Sequence, residues 1–209
     1  MRVRVKICGI VTPEAAAAAV QAGADAVGFV FADSPRRVDV ERAGEIARSL
    51  PPFVTRVAVF RYPRPHEVAD VVRRLRPDLV QAEPVAGLRE ALVTGVAFLP
   101  VLHDGADLDR RAAELGQPAL LLEAAGRGGR GVAPDPERAA RLARRFRLVL
   151  AGGLTPENVA AAIRRVRPFA VDVSSGVESA PAIKDPERIG RFVDEVRRGC
   201  DAPAGVGDP

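Results

Sequence analysis

Short apolar runs alternate with stretches of helical periodicity along most of the chain. Eight runs rich in Val, Leu and Phe have the length of β-strands, and a segment with apolar residues at helical spacing follows each run. The predicted strands lie near residues 2–8, 25–31, 54–60, 78–82, 97–102, 118–123, 147–151 and 169–174. The predicted helices lie near residues 13–22, 39–50, 65–75, 86–93, 107–115, 135–145, 156–166 and 185–198.

Eight βα units in 209 residues predict one α/β domain, a compact parallel (β/α)8 barrel of the TIM type. A doubly wound open sheet is the alternative, because alternation alone does not reveal closure. An internal similarity favours the barrel: residues 8–14 resemble residues 151–157, and in both segments Thr, Pro and Glu stand at a helix start. We expect the barrel to span residues 1–199, and residues 200–209, which have turn composition and no periodicity, to form a disordered tail.

Composition excludes several classes of protein. Hydrophobic residues make up 47% of the chain, so a full core is possible, but no apolar run has the length of a membrane span. The net charge of +4 comes from scattered residues, and aromatic residues make up only 4%, which argues against nucleic-acid binding. The chain starts with a strand instead of a signal peptide, so we expect a cytoplasmic protein without membrane or nucleic-acid partners.

A cysteine ends the first predicted strand, directly before a helix. Cys8 and Cys200 are the two cysteines, and their separation does not suggest a disulfide framework. At a strand end we expect the Cys8 thiol to be exposed, as a nucleophile or a base. The alternative is a small core residue, which is the commoner position of a free cysteine.

Polar and glycine-rich segments follow most of the other strands, at the end of a barrel where active sites lie. After the last two strands come Gly152-Gly153 and Ser174-Ser175-Gly176, whose backbone N–H groups and hydroxyls can bind a phosphate. Either loop alone is better explained by a tight turn. Together, after strands seven and eight, they predict an anion site.

Two further side chains are candidates for chemistry. Arg36 lies in a Ser-Pro-Arg-Arg loop opposite the predicted anion site, where a guanidinium can bind a carboxylate with two hydrogen bonds. Glu123 ends the apolar run Leu120-Leu121-Leu122, so burial should raise the pKa of its carboxyl and suit it to act as a general acid. The alternatives are a solvated loop arginine and an ordinary strand-end carboxylate.

Neither histidine is predicted to have a functional role. His66 begins a predicted surface helix and His103 lies in a predicted Asp-Gly loop, and neither has metal-ligand spacing with Cys8. We therefore expect no bound metal.

Four motifs in combination resemble one enzyme family. They are Lys6-Ile7-Cys8-Gly9, Asp25 to Phe31 with Ser34-Pro35-Arg36, Leu150 to Leu154 with Pro156-Glu157-Asn158-Val159, and Val171 to Glu178 with Lys184-Asp185. Together they look like phosphoribosylanthranilate isomerase of tryptophan biosynthesis, in register from the first strand to the last helix.

The resemblance implies an Amadori rearrangement of a small phosphorylated sugar amine, without a cofactor, in a monomer or homodimer. It implies that Cys8 is the general base that removes the C2 proton, that Arg36 holds the anthranilate carboxylate, and that the loops after strands seven and eight bind phosphate. An acid must also protonate the ring oxygen, the role expected for Glu123. Other residues expected near the substrate are Lys6, Gln81, Glu83, Arg130 and Asp172.

The middle of the chain departs from the family pattern. The family usually has Gln-Leu-His-Gly where this chain has Gln81-Ala82-Glu83-Pro84, and an aspartate where it has Glu123. A lysine common on strand five is absent, and Arg130 replaces the Thr or Ser of a Gly-rich loop. Two alternatives therefore stand beside the isomerase: a related enzyme that acts on another phosphoribosyl amine or phosphosugar, and a non-catalytic protein that binds sugar phosphates.

Overall fold

Eight parallel strands close into a barrel in the computed structural model, which describes residues 2–92, 95–125 and 133–201. The strands follow one another in sequence order, and β8 pairs with β1 to close the barrel. They are β1 (Arg4–Cys8), β2 (Ala26–Val30), β3 (Thr55–Val59), β4 (Leu79–Ala82), β5 (Ala97–His103), β6 (Ala119–Glu123), β7 (Arg147–Leu150) and β8 (Ala170–Val173). Closure confirms the predicted (β/α)8 fold and excludes the open sheet.

Helices follow the strands and pack around them. The described helices are α1 (Pro13–Ala22), α2 (Val40–Arg48), α3 (Pro65–Leu75), α4 (Leu88–Ala91), α5 (Leu108–Glu114), α6 (Pro136–Ala143), α7 (Val159–Val166) and α8 (Pro186–Asp201). The larger apolar core lies between the strands and these helices, with Ile7, Phe29 and Phe192 fully buried. Burial of this surface is the main stabilising contribution to such a fold.

The barrel interior is filled by a second, smaller apolar group. Its buried members are Leu99, Val101, Leu121, Val149, Ala151 and Ala170. Side chains alternate along a strand, so Leu99 and Val101 share a face with His103, and Leu121 shares one with Glu123. The polar residues at the carboxyl ends of β5 and β6 therefore lie next to a dry interior.

The two similar segments start their helices differently. Thr12 caps α1, because its hydroxyl accepts a hydrogen bond from the N–H of Ala15 at 3.1 Å. The corresponding Thr155 instead accepts from the N–H of Glu157 at 3.2 Å within a turn, and α7 begins only at Val159. The predicted start at residue 156 was therefore too early, because local turn bonds take the place of the first helical turn.

Two features near the C-terminus were not predicted. A short antiparallel pair, β9 (Glu178–Ala180) and β10 (Ile183–Lys184), lies between β8 and α8. Helix α8 continues through Cys200 to Asp201, and the N–H of Val3 donates a hydrogen bond to the Cys200 sulfur at 3.4 Å. Residues 202–209, the rest of the expected tail, lie outside the described residues. No helix in the described ranges is long and apolar enough to cross a membrane.

Candidate active site

The Cys8 thiol lies at the carboxyl end of β1 and is buried, with 8% of the residue exposed. The expectation of an exposed thiol was wrong, because Lys6, Gly28 and the loop after β8 close around it. Burial raises the pKa of the Cys8 thiol, whereas the positive charges of Lys6 and Lys184 act in the opposite direction. The site therefore contains cations that stabilise a thiolate once it forms.

A buried ion pair lies beside this thiol. Lys6 Nζ donates a hydrogen bond to Asp172 Oδ1 at 2.9 Å, and both side chains are almost fully buried. Burial alone lowers the pKa of Lys6, but the negative charges of Asp172 and Cys8 outweigh it and raise the pKa. Lys6 therefore carries a proton and a positive charge next to the Cys8 sulfur.

Glycine at position 28 makes room for these groups. Gly28 lies opposite Cys8 in the β1–β2 register. A Cβ atom at Gly28 would lie 3.0 Å from the Cys8 sulfur and 3.2 Å from Lys6 Nζ. Only a residue without a side chain fits here without displacing the thiol or the ammonium group.

Arg36 forms a bidentate ion pair with a residue that the sequence did not single out. Its Nε and Nη2 donate to the two carboxylate oxygens of Glu178, each at 2.7 Å. Lys184 Nζ also donates to Glu178, at 2.6 Å, and to the carbonyl of Ser174 at 3.0 Å. Burial raises the pKa of Glu178, but both cations outweigh it and lower the pKa overall. The pair holds Arg36 rigidly and leaves three of its five N–H groups for another acceptor.

The two glycine-rich loops line one pocket at the carboxyl end of the barrel. Gly152 and Gly153 both have positive φ, 92° and 62°, a conformation that favours glycine. A cavity of about 430 Å³ lies between the loops and is lined by Gly153, Leu154, Thr155, Pro156, Glu157, Ser175, Gly176 and Arg188. Ser174 lies outside this lining, and its hydroxyl donates to the carbonyl of Cys8 at 3.0 Å. Arg188 supplies the cation in this pocket, and sequence reasoning missed it.

Glu123 ends β6 with 24% of its side chain exposed. Burial is the main cause of its raised pKa, and the negative charge of Asp172 adds to the effect. Asp172 acts electrostatically on both Cys8 and Glu123, so a thiol and a carboxyl face the same end of the barrel around one buried aspartate. This arrangement provides a candidate base and a candidate acid.

His103 belongs to the site, contrary to the sequence interpretation. It is the last residue of β5, not a loop residue, and its Nε2 lies 3.1 Å from Glu83 Oε1. The hydrogen bond that the ring donates to Glu83 raises the pKa of His103 in spite of burial. The pKa of Glu83 is lowered, because bonds from His103 and from the N–H of Tyr62 outweigh its burial. The alternating pattern Leu99, Val101, His103 was the available signal.

Gln81 and Arg130 complete the residues predicted near the substrate. Gln81 on β4 is buried, and within the described ranges its Oε1 has no hydrogen-bond partner. Arg130 lies outside the described residues. No group of three or more His, Cys, Asp or Glu side chains within residues 2–92, 95–125 and 133–201 is arranged to hold a metal ion.

Comparison with known proteins identifies the family to which the chain is similar. Residues 5–195 match the family model described as N-(5'phosphoribosyl)anthranilate (PRA) isomerase. The chain is 46% identical to the N-(5'-phosphoribosyl)anthranilate isomerase of Halorhodospira halophila, over 95% of this chain and 99% of the relative. It is 45% identical to the enzyme of the same name from Pseudomonas aeruginosa strain UCBPP-PA14, over 93% and 95% of the two chains.

Solved structures give the same result. The phosphoribosyl anthranilate isomerase of Thermotoga maritima superposes with a TM-score of 0.84 at 40% identity, covering 93% of this chain and 98% of the other. A phosphoribosyl anthranilate isomerase in complex with reduced 1-(o-carboxyphenylamino)-1-deoxyribulose 5-phosphate superposes with a TM-score of 0.81, at the same identity and coverage. The extent of the sequence match and the shared barrel show that this chain belongs to the N-(5'-phosphoribosyl)anthranilate isomerase family.

Proposed function

We propose that this isomerase converts N-(5'-phosphoribosyl)anthranilate to 1-(2-carboxyphenylamino)-1-deoxyribulose 5-phosphate, with Cys8 as general base and Glu123 as general acid. The observation that carries the proposal is the placement of a thiol on β1 and a raised-pKa carboxyl on β6 around the buried Asp172. An Amadori rearrangement needs one group that gives a proton to oxygen and one that takes a proton from carbon.

Glu123 acts in the first step. Its protonated carboxyl donates a proton to the ring oxygen of the sugar, the C1–O bond breaks, and the nitrogen lone pair forms the Schiff base. Because burial raises the pKa of this carboxyl, more of it is protonated near neutral pH than of an exposed glutamate.

Cys8 acts in the second step. Its thiolate removes the C2 proton, the C2–H electrons form the C1–C2 double bond, and the C1=N π electrons return to the nitrogen. The resulting enolamine becomes the ketone when its C2 hydroxyl loses a proton and C1 gains one. The thiol has a raised pKa, so the thiolate is a strong base, and the neighbouring Lys6 ammonium stabilises its charge. The active form therefore combines a thiolate with a protonated carboxyl.

The two ends of the substrate have separate positions. The pocket between the β7 and β8 loops suits the phosphate, because Gly153, Ser175 and Gly176 line it together with the guanidinium of Arg188. Arg36, held by Glu178, suits the anthranilate carboxylate with its remaining N–H groups. Lys6 and Asp172 set the charge around the thiol, and Gln81 has a free acceptor next to the same interior.

Turnover by the purified protein tests the activity. Conversion of phosphoribosylanthranilate is followed as loss of anthranilate-type fluorescence, and the gene is tested for rescue of a tryptophan auxotroph that lacks this isomerase. We expect turnover and rescue by the wild-type protein, and neither by Cys8→Ser. Absence of turnover at high enzyme concentration would remove the proposal.

The oligomeric state and location stay predictions. One related structure concerns monomers generated from the dimeric enzyme of Thermotoga maritima. For this chain we propose a monomer or homodimer in the cytoplasm, which gel filtration with light scattering and cell fractionation test.

A further inference from the structure

Three titratable side chains from neighbouring strands form a row at the mouth of the barrel. Glu83 follows β4, His103 ends β5 and Glu123 ends β6. His103 and Glu123 are direct partners in the β5–β6 register. The row lies where the sequence departs from the family pattern, at Glu83 and Glu123.

Glu83 fixes the imidazole from one side. Its Oε1 lies 3.1 Å from His103 Nε2, and its Oε2 accepts a hydrogen bond from the N–H of Tyr62 at 2.9 Å. The Tyr62 ring stacks on the imidazole with centroids 6.4 Å apart, and Arg111 donates to the His103 carbonyl. These contacts hold the backbone, the ring and Nε2 of His103. They therefore also fix the direction of Nδ1.

The other ring nitrogen points towards the proposed acid. His103 Nδ1 is buried and has no hydrogen-bond partner in the described part of the chain. It lies 3.8 Å from Glu123 Oε2, slightly beyond hydrogen-bond distance. A small rotation of the Glu123 side chain closes this gap and satisfies the buried nitrogen.

We propose that His103, held by Glu83, is a positioning residue that orients the Glu123 carboxyl and returns to it the proton lost in each turnover. This inference rests on the proposed function. In the protonated imidazole both nitrogens are donors, so Nε2–H bonds to Glu83 and Nδ1–H faces Glu123. After Glu123 has protonated the substrate, the Nδ1–H bond breaks and the Glu123 Oε2–H bond forms. The proton that the C2 hydroxyl of the enolamine loses on ketone formation goes to solvent, and solvent returns one proton to the imidazole, whose side chain is 16% exposed.

The charges around the row are compatible with this transfer. The hydrogen bond to Glu83 is the largest cause of the raised pKa of His103. Burial opposes it, whereas the negative charges of Glu123 and Glu83 and the backbone of Ala124 add to it. Besides burial, the negative charges of Asp172 and Glu83 raise the pKa of Glu123. The positive charges of His103 and Arg61 lower it. The imidazole is therefore protonated more readily than an exposed histidine, and the burial of Glu123 makes its carboxylate a good proton acceptor.

Histidine NMR tests the coupling without any need for turnover. The chain has two histidines, so the matched variant His66→Gln assigns both imidazole signals. We expect His103 to titrate above the ordinary histidine value of about 6.5. Glu83→Gln should lower its midpoint most, and Glu123→Gln should lower it less. A His103 midpoint that Glu123→Gln leaves unchanged would show that the two groups do not interact, and would overturn the inference.

Kinetics test the consequence for catalysis. In His103→Ala we expect kcat to fall by about ten- to a hundredfold, with KM little changed because a residue that acts through Glu123 leaves the substrate contacts as they are. Added imidazole should restore part of kcat in His103→Ala. His103→Asn keeps a donor beside Glu123 without a transferable proton, so it should retain more activity than His103→Ala but less than wild type. His66→Gln is the exposed control and should behave as wild type.

The outcomes separate the two proposals. Circular dichroism and thermal melting first establish whether each variant is folded. If His103→Ala does not fold, the NMR titration, which is recorded on chains that keep His103, tests the inference instead. An unchanged kcat in folded His103→Ala contradicts this inference and leaves the proposed function intact. Absence of turnover in the wild-type protein contradicts the proposed function and the proton return with it.

Discussion

Substitution of Gly28 by alanine should displace the Cys8 thiol, the proposed base, without removing any polar or charged group. A Cβ atom at this position would lie 3.0 Å from the Cys8 sulfur and 3.2 Å from both Cε and Nζ of Lys6. Optimal contacts between carbon atoms are about 3.5–4.0 Å long, so the two side chains must move by a few tenths of an ångström. Gly28 lies within β2, opposite Cys8, so the effect is steric and local.

The size of the effect follows from this displacement. Misplacement of a catalytic group by ~1 Å can reduce the rate about a hundredfold, so we expect kcat/KM of Gly28→Ala to fall by about ten- to a hundredfold. Overpacking a core costs about 1–3 kcal/mol, which for a chain of this size lowers Tm by roughly 2–12 °C. The loss of activity should therefore be measurable well below the melting temperature of the variant.

The assay is the fluorescence decrease of phosphoribosylanthranilate, measured together with thermal melting. Gly190→Ala in α8 is the matched control, because nothing lies within 4 Å of a Cβ atom there. Alanine in a helix interior is more stable than glycine by roughly 0.5–1 kcal/mol, so this control should melt slightly higher with unchanged activity. A folded Gly28→Ala variant with wild-type kcat/KM would refute the argument that the packing around Cys8 and Lys6 is needed.

Three further outcomes follow from the charged groups of the site. Lys6→Met leaves Asp172 buried without a partner and should lower the free energy of unfolding in urea by about 3–5 kcal/mol, whereas no loss would show that Asp172 is neutral in the fold. Arg188→Ala should raise KM by about tenfold or more with a smaller change in kcat, because a charge-assisted hydrogen bond to phosphate contributes about 1.5–3 kcal/mol; an unchanged KM would place the phosphate elsewhere. The pKa of Glu178 lies below its usual value, so its stabilising effect is present above about pH 4.3 and lost as the pH falls through the folded value. Urea unfolding between pH 6 and pH 3 should thus depend less on pH in Glu178→Gln than in wild type, and equal slopes would contradict the ion pair with Arg36.

The barrel and one half of the site could be predicted from sequence because their signals are local. Strand and helix periodicity gave all eight βα units, and the closed sheet confirms them. Glycines after the last two strands suggested an anion site; Gly153 and Gly176 line a pocket there, and anion binding in it stays a prediction. Positive φ values at Gly152 and Gly153 explain why glycine stands there.

Contacts between distant segments could not be predicted in the same way. Glu178 and Arg36 are 142 residues apart, and only the closed barrel brings them together. Lys184 and Arg188 lie on a short strand and a helix whose local patterns look like ordinary surface sequence. Both donate hydrogen bonds to Glu178, Lys184 to its carboxylate and Arg188 to its backbone carbonyl. Predicting these bonds requires the arrangement of the segment between β8 and α8, which the local sequence does not show.

The predictions made from local sequence were wrong at Cys8 and at His103, in opposite ways. The end of a strand suggested an exposed thiol, but neighbouring strands and loops bury Cys8. The Asp-Gly pair after His103 suggested a loop, but pairing with β6 extends β5 by one residue and brings the imidazole into the site. In both cases tertiary packing decided what the local sequence left open.

The kcat of Glu123→Gln, measured by the fluorescence assay at saturating substrate, tests the central claim most directly. Glutamine keeps the shape and hydrogen-bonding capacity of the side chain but has no proton to give to the ring oxygen. If Glu123 is the acid that works with Cys8, kcat falls by at least about a hundredfold while the protein melts as the wild type does. A folded Glu123→Gln variant with wild-type kcat would show that the acid lies elsewhere and would contradict the account.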